Sequence, residues 1–179
     1  MKMFSLSLAT AAALLIAQPA QAALGVGAQA PDFTTQGALK GKAFSFQLSR
    51  ILKKGPVVLY FYPKAFTKGC TLEAHAFAEK VDDFRKAGAT VIGVSGDGLA
   101  DLKRFSLEEC RGKFAVVSAN PEVIADYQVS FKGNPAVSDR TSYVIAKNGR
   151  ITYVHSDLNY QDHVANTLAE VVRLKQAGK

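Results

Sequence analysis

The run Val57-Val58-Leu59-Tyr60-Phe61-Tyr62 constrains this chain most: it is a continuous series of β-branched, aliphatic and aromatic residues that Pro63 closes. A strand with no polar alternation is buried on both faces, so it belongs inside a sheet covered by helices. Pro63, which cannot donate to a ladder, ends it. Downstream, Cys70, Ala74, Phe77, Val81 and Phe84 recur at helical spacing, with Glu73, Glu79, Lys80, Asp83 and Arg85 on the other faces. Gly88 reads as the helix stop and Thr90–Ser95 as the next strand. Strand, helix and strand with short links make a parallel βαβ unit with a right-handed crossover.

The remaining signals extend that unit into one α/β domain. Phe44-Ser45-Phe46 suggests a strand and Leu48 to Lys53 a turn or short helix. Leu99 to Cys110 reads as a helix, Ala115–Ser118 as an extended stretch, and Pro121–Tyr127 as a helix with Pro in its first turn. Thr141–Ile145 and Ile151–Val154 flank Lys147-Asn148-Gly149-Arg150, a hairpin signal. Val164, Leu168, Val171 and Val172 place a closing helix on the sheet.

Residues 1–22 have a basic start at Lys2, an apolar core from Leu6 to Ala17 and an Ala-Gln-Ala end at Ala20–Ala22. That is the pattern of a cleaved secretory signal, and its apolar run is too short to span a bilayer. Residues 23–179 are then expected to be one exported domain, without membrane insertion after cleavage, most naturally in a bacterial periplasm. The formal net charge of +7 is scattered in singles and pairs such as Lys53-Lys54. No clustered basic stripe with interleaved aromatics occurs, so nucleic acid is not an expected partner. His155 and His163 are too isolated for a metal site, and no cofactor is called for.

Chemistry points to Cys70. In parallel sheets ligands collect beyond the carboxyl ends of strands, and Cys70 follows such an end at the start of a helix. A helix N-terminus offers unpaired N–H groups and partial positive charge, and thiols so placed tend toward the thiolate. Lys64 and Lys68 add charge nearby, and Thr67 adds a hydroxyl. The second cysteine, Cys110, leaves a structural alternative open. In an oxidising compartment a Cys70–Cys110 disulfide could stabilise the fold by ~4 kcal/mol.

Three motifs in order, Ala30-Pro31-Asp32-Phe33, Pro63-x-x-x-Thr67-x-x-Cys70 and Arg140-Thr141-Ser142-Tyr143-Val144-Ile145, resemble the peroxiredoxins. The likeness is nearest to the bacterioferritin-comigratory, or Q-type, group and covers essentially all of residues 23–179. It implies a thioredoxin-like fold, with a central mixed β-sheet flanked by helices, and thiol-dependent reduction of hydrogen peroxide and organic hydroperoxides. It assigns Cys70 as the peroxidatic cysteine, Thr67 and Arg140 as its activating partners, and Pro63 as its shield. Glu73 is either a favourable first-turn carboxylate or a partner that fixes Arg140 or a backbone group. Many relatives carry a second cysteine five positions after the first, where this chain has His75; Cys110 is therefore the candidate resolving residue. His75 is expected to be satisfied or solvated rather than a base.

A sulfenic acid on Cys70, attack by Cys110 and reduction by a thioredoxin-like protein or small thiol would complete the cycle, in a monomer or weak homodimer. Two other readings share the fold class. An exported thiol–disulfide oxidoreductase normally needs a Cys-x-x-Cys, which is missing here; a non-enzymatic domain would keep the two cysteines as a permanent staple. Copper or haem delivery would want a Cys-x-x-x-Cys, and Ala74 occupies the required position.

Overall fold

A computed structural model describes residues 23–178. The expected secretory signal at residues 1–22 lies outside the described residues. The elements in chain order are β1 (Thr34–Leu39), β2 (Lys42–Gln47), α1 (Leu48–Leu52), β3 (Val57–Phe61), α2 (Lys68–Lys86), β4 (Thr90–Ser95), α3 (Leu99–Glu108) and β5 (Ala115–Ser118). They continue with α4 (Pro121–Asp126), β6 (Ser130–Phe131), β7 (Asn134–Ser138), β8 (Thr141–Ile145), β9 (Ile151–Ser156) and α5 (Gln161–Ala177).

Seven strands form one mixed sheet in the order β2-β1-β5-β4-β3-β8-β9, and β6 and β7 pair separately. β3 runs parallel to β4, and β4 to β5, whereas β8 joins β3 antiparallel. β3 lies inside the sheet and every one of its residues is buried, as its unbroken apolar run requires. Its alternate residues feed two cores. Val58, Tyr60 and Tyr62 face α2, α3 and α5, while Val57, Leu59 and Phe61 face the layer that includes α1 and α4.

The expected βαβ unit, the Asn148-Gly149 hairpin and the closing helix are all present. Gly88 adopts the left-handed conformation just after α2, with φ of 88°, which suits a glycine after a helix end. One boundary differs: α3 ends at Glu108, so Cys110 lies beyond the helix that the sequence extends through it. Arg111 and Gly112 have φ of 52° and 64°, and Gly112 N–H returns to the Ser106 carbonyl at 2.9 Å. That reversal stops the helix and turns Cys110 into the core. Among the described residues no helix is long and apolar enough to cross a membrane.

Candidate active site

The loop between β3 and α2 is fixed at both ends. Ser138 Oγ donates to the Tyr62 carbonyl at 2.9 Å, holding the strand end before Pro63, which is half-buried. The Ala65 N–H donates to Asp97 Oδ2 at 2.7 Å, and Ser95 Oγ donates to the same oxygen at 2.8 Å. Phe66 has φ of 64°, in the left-handed region that a bulky residue enters only when its surroundings enforce it. Its ring meets Phe105 edge-on at 5.3 Å and lies 4.8 Å beneath the Arg104 guanidinium. These contacts aim the chain into α2.

Thr67 is the N-cap of α2, but its side chain caps nothing. Its Oγ1 donates to the Lys64 carbonyl at 2.9 Å, and the residue is exposed. Thr67 thus stands exposed at the start of the helix that carries Cys70, and no hydrogen bond joins it to the sulfur. Lys64 and Lys68 are exposed beside it.

Cys70 is 1% exposed and is not bonded to another cysteine. Arg140, directly before β8, reaches it across the sheet end, with Nη2 3.5 Å from Cys70 Sγ. The guanidinium is clamped on its other edges: Nε donates to the Leu158 carbonyl at 2.8 Å and Nη1 donates to Glu73 Oε2. So Glu73 takes the second of its two expected roles and orients Arg140 from within α2.

This buried cluster holds one permanent cation and two acids. Burial pushes Glu73 up to about 8, against the pull of Arg140. Burial lowers Arg140, but Glu73 and Cys70 outweigh it and hold the guanidinium firmly charged. At the carboxyl burial outweighs Arg140, so Glu73 keeps its proton well above the ordinary carboxylate range while the guanidinium stays charged.

A histidine that looks isolated in the sequence completes the cluster. His163 is fully buried on α5, with Nδ1 2.8 Å from Ser142 Oγ, Nε2 2.9 Å from the Asp157 carbonyl, and Nδ1 3.8 Å from Glu73 Oε1. A carbonyl only accepts, so Nε2 carries the hydrogen and the Ser142 hydroxyl donates to a bare Nδ1. Burial pushes His163 down to about 4, so the ring is neutral. Glu73 Oε1 has no hydrogen-bond partner among the described residues, and it faces that lone pair.

Cys110 is fully buried and free, in the same core as Cys70. Burial, with Glu109 beside it, pushes its thiol up. The fold thus brings Cys70, Glu73 and Arg140 into direct contact, sets Thr67 and Pro63 at the approach, and keeps Cys110 as a separate buried thiol. Asp97, His163, Ser138 and Ser142 are the supports that sequence reasoning missed. Only Asp97 carries a usable signal, since it follows the carboxyl end of β4. Among the described residues no three His, Cys, Asp or Glu side chains are grouped to hold a metal.

Comparison with known proteins places the chain in a family. Residues 26–154 match the AhpC/TSA family. Chloroplastic peroxiredoxin Q of Oryza sativa subsp. japonica is 37% identical over 144 residues, covering 79% of this chain and 64% of the relative. The chain therefore spans under two thirds of that relative's length. Peroxiredoxin Bcp of Escherichia coli K12 is 34% identical over 122 residues, covering 64% of this chain and 78% of the relative. The crystal structure of peroxidoxin BcpB from Mycobacterium tuberculosis superposes with a TM-score of 0.73 at 30% identity, over 83% of this chain and 96% of that one. The 2-Cys peroxiredoxin of Plasmodium vivax, at 22% identity, shares the fold with a TM-score of 0.75. On the match over residues 26–154 and these relatives, the chain belongs to the AhpC/TSA family and has its thioredoxin-like peroxiredoxin fold.

Proposed function

We propose that this chain is a thiol peroxidase in which the Cys70 thiolate attacks the terminal oxygen of hydrogen peroxide or an organic hydroperoxide. The S–O bond forms as the O–O bond breaks, leaving Cys70–SOH and releasing water or an alcohol. The observation that carries this reading is the contact of the Arg140 guanidinium with Cys70 Sγ at 3.5 Å, clamped from behind by Glu73 and Leu158. Ionisation alone is not enough. Lowering a thiol's pKa from about 8.5 to about 6 raises its neutral-pH thiolate fraction about thirtyfold, or ~2 kcal/mol. The larger share must come from alignment of the peroxide and from donors to the leaving oxygen. A fixed guanidinium supplies both, and the exposed Thr67 hydroxyl hydrogen-bonds the bound peroxide in this reading.

Cys110 is the resolving residue in this reading. It attacks Cys70–SOH to form an intramolecular disulfide, which a thioredoxin-like protein or small thiol then reduces. Cys70 must leave its helical turn for the sulfurs to meet, so the start of α2 opens locally in each cycle. The secretory pattern of residues 1–22 supports an exported, periplasmic setting, with the domain acting as a monomer or weak homodimer.

The test is peroxide consumption with a dithiol reductant. Cys70→Ser should abolish turnover. Cys110→Ser should still reduce one equivalent of peroxide, form no intramolecular disulfide and turn over slowly. Undiminished peroxide destruction by Cys70→Ser would refute the assignment.

A further inference from the structure

Two buried phenols remain unexplained by this site. Tyr60 and Tyr62 project from one face of β3, with ring centroids 5.6 Å apart. Each is fully buried and neither hydroxyl makes a hydrogen bond of normal geometry among the described residues, although the Ser95 side chain lies close to that of Tyr62. An unpaired buried hydroxyl destabilises a protein, and phenylalanine would fill the same core without that penalty. Orphaned polar atoms of this kind call for a cause.

Their placement supplies one. Tyr60 stacks at 4.3 Å on Phe77 of α2, the helix that carries Cys70; Tyr62 stacks at 5.4 Å on Phe105 of α3, which leads into Cys110. Gly93 makes room on β4, since a Cβ there would lie 2.8 Å from both Cζ and the hydroxyl oxygen of Tyr60. The same core joins both phenols to both cysteines. Burial, followed by Cys110, pushes both phenols up, so they remain neutral O–H donors. The Cys110 thiol, by contrast, is held protonated by burial and by Glu109, and a protonated thiol is a poor nucleophile.

We infer that the Tyr60 and Tyr62 hydroxyls are the hydrogen-bond donors that receive the developing thiolate of Cys110 when it attacks the Cys70 sulfenic acid. In that step Cys110–SH gives up its proton and its sulfur bonds to Cys70 Sγ. The S–OH bond breaks and the departing hydroxide takes a proton, so one disulfide and one water form without another oxidant or reductant. The phenols donate hydrogen bonds and end the step unchanged. β3 holds them still while the first turn of α2 opens. This inference rests on the peroxidase reading and on Cys110 as the resolving residue.

The experiment uses the full chain with Tyr60→Phe, Tyr62→Phe and the double substitution, which preserve the aromatic stacking. Single-turnover kinetics separate formation of Cys70–SOH, trapped with dimedone, from its decay to the disulfide. Formation should stay within about twofold of wild type, while decay in the double variant slows about tenfold or more. The pH midpoint of the decay should move upward. Arg140, Glu73, Asp97, Cys70 and Glu109 with its partner His75 are the other ionisable groups facing these sulfurs and phenols, and all are retained. Melting temperatures should equal or exceed wild type, because an unpaired hydroxyl has been removed. In a Cys70→Ser background, alkylation of Cys110 should show the same upward midpoint shift.

Unchanged decay and an unchanged midpoint in the double variant would overturn the role of the phenols. Absence of any Cys70 sulfenic acid in the wild type, or decay to the disulfide-equivalent state unaltered by Cys110→Ser, would instead overturn the reading beneath it. The two failures leave different signatures.

Discussion

His75 Nε2 lies 2.7 Å from Glu109 Oε2, which ties the middle of α2 to the residue immediately before Cys110. The pair forms a clasp between the helix of the first cysteine and the turn of the other. Its side chains are 32% and 21% exposed, so the bond is worth about 0.5–1 kcal/mol at most. If opening of α2 must break it, His75→Ala lowers stability by that amount and accelerates disulfide formation about two- to fivefold after one equivalent of peroxide. Rapid-quench mass analysis measures this, and an unchanged rate would show that α2 opens without disturbing the clasp.

Glu73 gives a prediction about charge. It shares Arg140 with Cys70, and glutamine can still accept from the guanidinium while carrying no charge. Because the native carboxyl holds its proton in mildly acidic buffer, Glu73→Gln should leave Cys70 alkylation there within about twofold of wild type. A several-fold change in either direction would show that the carboxyl is ionised there. The stability consequence has a definite sign. Burial lifts the folded carboxyl from 4.5 to about 8, so the native state holds this proton through a window in which the unfolded chain has released it. The contribution of Glu73 is therefore favourable below that window and is lost as pH rises through it, and the substitution should flatten this fall.

His163 acts in the opposite direction. Burial lowers it from 6.5 to about 4, so the unfolded chain takes up this proton first as pH falls. Stability from the neutral ring is complete above 6.5 and is lost as pH drops through about 4, a change of roughly 3 kcal/mol by linkage. His163→Gln should remove most of that acid-side slope. The chain has no tryptophan, so urea titrations followed by circular dichroism across this range are the suitable measurement. An equal slope in the variant would mean that His163 is not the titrating group.

The difference between what the sequence revealed and what it concealed follows from range. β3, α2 and the Asn148-Gly149 hairpin are encoded by neighbouring residues, through an unbroken apolar run, a helical stripe and a turn dipeptide, and all three appear as read. The β1–β2 hairpin was seen only as a trace at Phe44-Ser45-Phe46, because its strands alternate weakly and turn at Lys40-Gly41. Cys70 was legible from its place at a helix start. Arg140 was not, since the contact joins residues 70 apart and only resemblance to a family pointed to it. Glu73, one turn beyond Cys70, reads equally well as a surface carboxylate until the guanidinium beside it is known. His163, Tyr60 and Tyr62 gave no polar signal, because their importance lies in which partners burial gives or denies them.

Gly69 separates positioning from folding. A Cβ at this residue would stand 3.0 Å from Arg140 Nη2, the nitrogen that reaches Cys70, and the guanidinium has little freedom to retreat while Glu73 and the Leu158 carbonyl hold it. Alanine is the better helix former by up to about 1 kcal/mol, so Gly69→Ala should melt at or slightly above the wild-type temperature. The second-order rate constant for peroxide should nevertheless fall about tenfold or more, because the donor has been pushed off the line to the sulfur. Stopped-flow peroxide reduction beside thermal melting tests both halves. A stable variant with the full wild-type rate would show that the guanidinium need not occupy its observed place, and the contact that supports the catalytic reading would lose its force.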